Sequence, residues 1–150
     1  MNKQKGKLPM KISIALLLIV HGFIAACQSP VSFNPAAGIK NPTWLAWWPA
    51  NLGQSWPLNA LELEHSLAVR MVGIFWLIAG AALIGAGLGV LGFLVPTAWW
   101  RSLALTGAII LIAMLAVYYH PFYSVGLGAS VVLLVSLVGE GWPLFSKLGL

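Results

Sequence analysis

Charge is what this chain has least of. Only 7% of its 150 residues are Asp, Glu, Lys or Arg, and three of these are acidic. Soluble domains carry roughly 25% charged residues, so 7% charged beside 60% hydrophobic excludes a soluble globular fold. Cysteine is nearly missing too. With Cys27 alone, no intramolecular disulfide can form and no CxxC redox or zinc-ligand pair can be built. The strand alternation of a membrane barrel is absent. A dinucleotide fingerprint is also excluded, because no strand-turn-helix unit surrounds the glycines. The net charge of +5 would in a soluble chain direct attention to nucleic acid. Here most basic residues flank apolar blocks, where they act as topology signals, and nucleic acid is not an expected partner.

What is present is long apolar runs. Four blocks, at about 10–27, 67–95, 102–119 and 122–139, approach the roughly 20 residues a helix needs to cross a bilayer. Lipid cannot satisfy backbone polar groups, so each block is expected to be a helix. The chain therefore reads as a single all-α domain over residues 1–150, a polytopic bundle of four transmembrane helices with a Trp/Pro-rich outer segment, 28–66, between the first two. Lys3, Lys5, Lys7, Lys11, Arg101 and Lys147 fall on one side of this plan, against Lys40 and Arg70 on the other. The positive-inside rule then places both termini in the cytoplasm of a cell with a bacterial inner membrane, and makes the bilayer the first partner. Trp99, Trp100, Arg101 and Trp142 are expected as anchors at the inner interface, where an indole prefers the headgroup level and an arginine snorkels.

In the outer segment, "PTWLAWWPA" sets Trp44, Trp47 and Trp48 at i, i+3 and i+4. This is one face of a short helix between Pro42 and Pro49, lying on the outer leaflet as a belt anchor or as a lid over a ligand. Asn59 followed by Glu62 has capping-box spacing and predicts that the second helix starts there. Within that helix, Ala81, Gly85 and Gly89 recur every four residues, a stripe that lets helix backbones approach closely in lipid. The stripe is expected to face another helix of the bundle, with a second copy of the chain as the alternative.

The polar residues are few enough to name. His21 lies inside the first block with Gln28 seven residues on, on the same face. A polar group at that depth faces the bundle interior and needs a partner. It serves either as a neutral imidazole bonded to a neighbouring helix or as a proton carrier or ligand. Glu62 and Arg70 share one side of the second helix, with His65 close by, and His120 ends the third in "YYHPF". His21, Gln28, Glu62, His65, Arg70 and His120 thus gather in the outer half and form a candidate polar pocket. Three scattered histidines lack the paired spacing of a zinc site, so no metal is expected. Bis-histidine haem needs matched depths that His21 and His120 do not offer. No catalytic residue is assigned.

The first block ends in Ile24-Ala25-Ala26-Cys27, which has the form of a lipoprotein cleavage box, and Cys27 is a possible lipidation site. His21 and Gly22 interrupt the apolar core that a signal peptide would need. The three spans downstream leave a lipid anchor little to add. Residues 1–26 are therefore expected to be retained.

"HG" in the first span, "AVRMVGIFWL" opening the second, "WWR" in the inner loop and "YYHPF" closing the third resemble small four-helix bacterial membrane proteins of the DoxX-like group. The resemblance implies a non-catalytic accessory or structural subunit that works with another membrane protein. Some relatives are linked to quinone redox chemistry. On that reading His21, Arg70 and His120 would line a quinone headgroup site. A small-solute transporter is a third alternative, without the inverted halves that would favour it.

Overall fold

The computed structural model describes residues 7–33, 39–63, 66–139 and 145. Among the described residues six α-helices follow in chain order: α1 (Lys7–Ala26), α2 (Ser29–Phe33), α3 (Trp56–Ala60), α4 (Leu67–Leu91), α5 (Trp100–Val117) and α6 (Ser124–Val138). α1, α4, α5 and α6, the last two taken with the 3-10 turns that lead into them, are long and apolar enough to cross a membrane, as in a membrane protein. Among the described residues the only extended pairing is one antiparallel bridge, Ile39 with Leu52.

The helix ends follow from local chemistry. α4 stops at Leu91, short of the expected 95, because Gly92 takes a left-handed conformation (φ 66°) whose N–H closes back on Gly89 and Leu88. It starts at Leu67, with Ser66 in the N-cap position, and not at Asn59. Asn59 lies inside the separate helix α3, whose cap is Ser55: its hydroxyl accepts from the Leu58 N–H, with Pro57 in the first turn. Glu62 then turns the chain with φ 56°, so the Asn59 and Glu62 spacing makes no capping box.

α4 is the spine of the bundle. It packs against α1 on one side and α5 on the other, α6 packs on α5, and α1 and α6 scarcely touch. The four helices therefore form a bundle with an open seam between the first and the last. Trp76, 2% exposed, anchors the core of α4 and meets Tyr118 edge to face at 6.0 Å.

Small residues hold the α1/α4 crossing. A Cβ on Gly22 would fall 2.6 Å from the Gly80 carbonyl oxygen, and a Cβ on Gly80 would fall 2.6 Å from that of Gly22. The two backbones touch, which only glycine at both positions allows. One turn or two further along, Gly87 lies against Ala15 and Ile19.

This corrects the expected stripe. Gly85 and Gly89 do pack, against Leu103 and Trp100 of α5, but Ala81 is exposed. A four-residue step overshoots one helical turn by about 40°, so Ala81 has rotated off the face that carries Gly89. The closest approach uses Gly80 and Gly87, seven residues apart.

Candidate functional site

At the end of the bundle where α1 ends and α6 begins, residues 39–63 fold into a cap. α5 ends there, and the last carbonyls of a helix have no partner within it. The cap supplies two: the Ser55 hydroxyl donates to Val117 O at 3.1 Å and the Trp56 indole N–H to Ala116 O at 3.1 Å. Ser55 thus does two jobs, capping α3 with its lone pair and α5 with its proton.

His120 is the second point of attachment and is 1% exposed. Its Nδ1 accepts from the Phe122 N–H at 3.3 Å, so the ring proton belongs on Nε2, which donates to Asn41 Oδ1 at 2.9 Å. Asn41 in turn donates to Ala50 O at 3.0 Å, and Asn51 accepts the Asn41 N–H and donates its own N–H to Gln54. Burial pushes the His120 imidazole below the ordinary value of 6.5, which fits a ring held neutral by an acceptor nitrogen already in use.

The tryptophans of the cap are not on one helical face. Residues Thr43–Leu45 form a single 3-10 turn whose buried residue is Leu45. Trp44 and Trp47 remain 65% and 71% exposed, while Trp48 turns inward to Tyr119 at 5.5 Å. Leu45 takes the core position instead. At the opposite end, Trp99 is exposed as an interfacial anchor should be. Trp100 is buried at 5% against Gly89 and Phe145, correcting its assignment as an anchor. Adjacent helical residues point about 100° apart, so only one of the pair can face lipid. The Arg101 guanidinium donates to Leu137 O and ties α5 to the end of α6. Trp142 lies outside the described residues.

Of the six residues expected to share one pocket, Gln28 and His120 are brought together through Tyr123, whose ring stands edge-on to the His120 imidazole at 6.3 Å. His120 is under the cap. Gln28 accepts from the Tyr123 hydroxyl at 2.9 Å, joining the end of α1 to the start of α6. Glu62 and Arg70 are exposed, and His65 lies outside the described residues. His21 stands apart, on the seam: its Nε2 is 2.9 Å from Ser130 Oγ of α6. A site lined jointly by His21, Arg70 and His120 is therefore not formed. No group of three metal-ligating side chains occurs among the described residues.

The seam is also where the molecule has a cavity. A cleft of about 340 Å³ is lined by Ile14, Leu17, Leu18 and His21 of α1, by Leu133 and Ser136 among others of α6, and by Phe145. Ser136 spends its hydroxyl on Val132 O, so the walls are otherwise apolar. Ser130 was visible in the sequence only as a small residue near Gly126. A sharper signal was available: His21 is five residues from the end of α1 and Ser130 six from the start of α6, which places both at one depth, about 8–9 Å in. Cys27, directly after α1, is exposed.

Comparison with protein-family models, with curated proteins and with solved structures finds no match.

Proposed function

We propose that this chain is a multi-pass protein of a bacterial inner membrane, with both termini cytoplasmic and the cap on the outer face. On this reading it serves as a non-catalytic accessory or structural subunit, as its DoxX-like resemblance implies. The observation that carries it is His120. The most buried ionisable side chain at the cap end has both ring nitrogens committed to holding the fold, one to Asn41 and one to the Phe122 N–H. A histidine with both nitrogens so used holds the fold and leaves neither for a substrate. Large apolar side chains that face outward, among them Leu17, Phe23, Phe75 and Val132, give the bundle a surface for lipid and for the helices of a partner.

Extraction from native membranes in a mild detergent, followed by native mass spectrometry, tests the reading. The expected result is a particle in which the 16.0 kDa chain accompanies a second membrane protein in fixed ratio. A lone chain carrying a bound chromophore would contradict it. The same spectra report on the amino terminus: the Gly22 and Gly80 contact makes α1 the main partner of α4, so an uncleaved chain with unmodified Cys27 is expected, and a mass for 27–150 plus acyl groups would overturn this.

A further inference from the structure

We infer that the seam between α1 and α6 is a binding site for a single-tailed lipid with an uncharged hydroxyl head, such as a long-chain alcohol. The head donates a hydrogen bond to His21 Nδ1 and the tail lies along the cleft toward Phe145.

The hydrogen count at the closed end leads to this ligand. The Ser130 hydroxyl has one proton and donates it to Gly126 O at 2.9 Å, the usual bond of a serine to the carbonyl one turn back in a membrane helix. With its proton there it meets His21 as an acceptor, and the tautomer that completes the pair carries the His21 proton on Nε2, 2.9 Å away. That leaves Nδ1 as a bare acceptor. Among the described residues it has no protein partner. Ser136, the other polar side chain on the cleft wall, has its proton on Val132 O and cannot turn to help. An unmet acceptor at this depth costs free energy in hydrocarbon, where no water is present to satisfy it. The complement is a donor that arrives from the lipid.

Shape and depth narrow the choice. At about 340 Å³ the cleft falls in the range of about 300–1,000 Å³ typical of small-ligand sites. Among the described residues α1 and α6 scarcely touch, so the cleft faces the bilayer between them. His21 lies five residues, or about 8 Å, below the end of α1. A phosphate or ammonium head would be stripped of water there, while a hydroxyl loses little and regains a bond on Nδ1. From Ile14 to His21 the cleft follows α1 for seven residues, about 10 Å, as an apolar channel for the tail.

The test uses the full chain in lipid nanodiscs with ring-15N histidine and three probes of matched length: decanol, decane, and decyl methyl ether, which accepts but cannot donate. Decanol is expected to move the His21 Nδ1 resonance in a saturable way and leave His120 unchanged, while decane and the ether leave both in place. Retention of labelled decanol should fall about 2- to 10-fold in His21→Phe, the loss of one net hydrogen bond. Leu133→Trp, which fills the cleft and leaves His21 intact, should abolish the shift. No movement of His21 with decanol would overturn the proposal, as would equal shifts with all three probes. So would a decanol shift that survives Leu133→Trp, since the alcohol would then be acting from the bulk bilayer. If His21→Phe fails to fold, the Leu133→Trp arm and the probe series decide alone. A chain that runs without a partner subunit would refute the function proposed above and leave this site standing, so the two fail separately.

Discussion

The cap end and the α1/α6 seam both set polar side chains among apolar ones, yet they complete them differently. Under the cap, His120, Asn41, Ser55 and Trp56 find partners within the protein, and the partners are largely the loose ends of the backbone itself: the Ala116 and Val117 carbonyls and the Phe122 N–H. Along the seam, His21 has one partner for two nitrogens. The first arrangement closes a structure, and the second leaves a bond to be made. Completion is not total at the cap end, where the Ser32, Ser66 and Tyr118 hydroxyls and the Trp48 indole N–H are buried without a hydrogen bond of ordinary geometry. Burial pushes the Tyr118 phenol up, with the neighbouring Ser32 hydroxyl acting against it.

Substitutions can break this comparison at either end or at the crossing that supports both. The largest effect is expected from Gly22→Leu, which drives a side chain into the Gly80 backbone. Overpacking commonly costs about 1–3 kcal/mol, and with backbone on both sides the loss should reach at least the upper value in steric-trapping measurements of unfolding. His120→Phe comes next. It strands Asn41 Oδ1 and frees the Phe122 N–H, both part-buried, so the two lost hydrogen bonds should cost about 1 kcal/mol each. Hydrogen exchange should accelerate across residues 39–60 and leave α1 and α4 unchanged. Ser55→Ala removes a cap from α3 and a partner from Val117, for about 1 kcal/mol, with the same local exchange pattern but smaller.

Acidification sharpens the comparison without a mutation. His120 is held neutral when the cap is docked, so its imidazole titrates below 6.5 in that state and near 6.5 when released. The released state then binds more protons as pH falls through and below 6.5. Docking is accordingly at full strength above that value and weakens below it. Exchange at residues 39–60 should rise on going from neutral to mildly acidic pH, and His120→Phe should flatten the profile. The smallest effect is a control on the seam side. A Cβ on Gly128 meets nothing within 4 Å, so Gly128→Ala should stabilise α6 by up to about 1 kcal/mol through helix propensity.

How far the sequence could be read differs between these regions for a physical reason. The four spans were plain, because hydropathy and length report the bilayer directly. Which face of each span met protein was not, since lipid and a neighbouring helix are both apolar and the same alphabet serves for each. Hence Ala81 and Gly80 could be confused, and Trp99 could not be told from Trp100. The cap was hidden for another reason: Asn41 and His120 are 79 residues apart, and their meeting depends on where α5 ends. A signal present there, and not read, was Ser55 ahead of Trp56-Pro57, an N-cap pattern four residues before Asn59.

The central claim is that His120 locks the cap and His21 stands unfinished on the seam. Ring-15N spectra of the protein in nanodiscs test it most directly. The account predicts His120 as a fixed Nε2–H tautomer with a hydrogen-bonded Nδ1, lost in Asn41→Ala, and His21 as the same tautomer with a free Nδ1. A His120 that titrates as an ordinary imidazole at 6.5, or a His21 protonated on Nδ1, would contradict it.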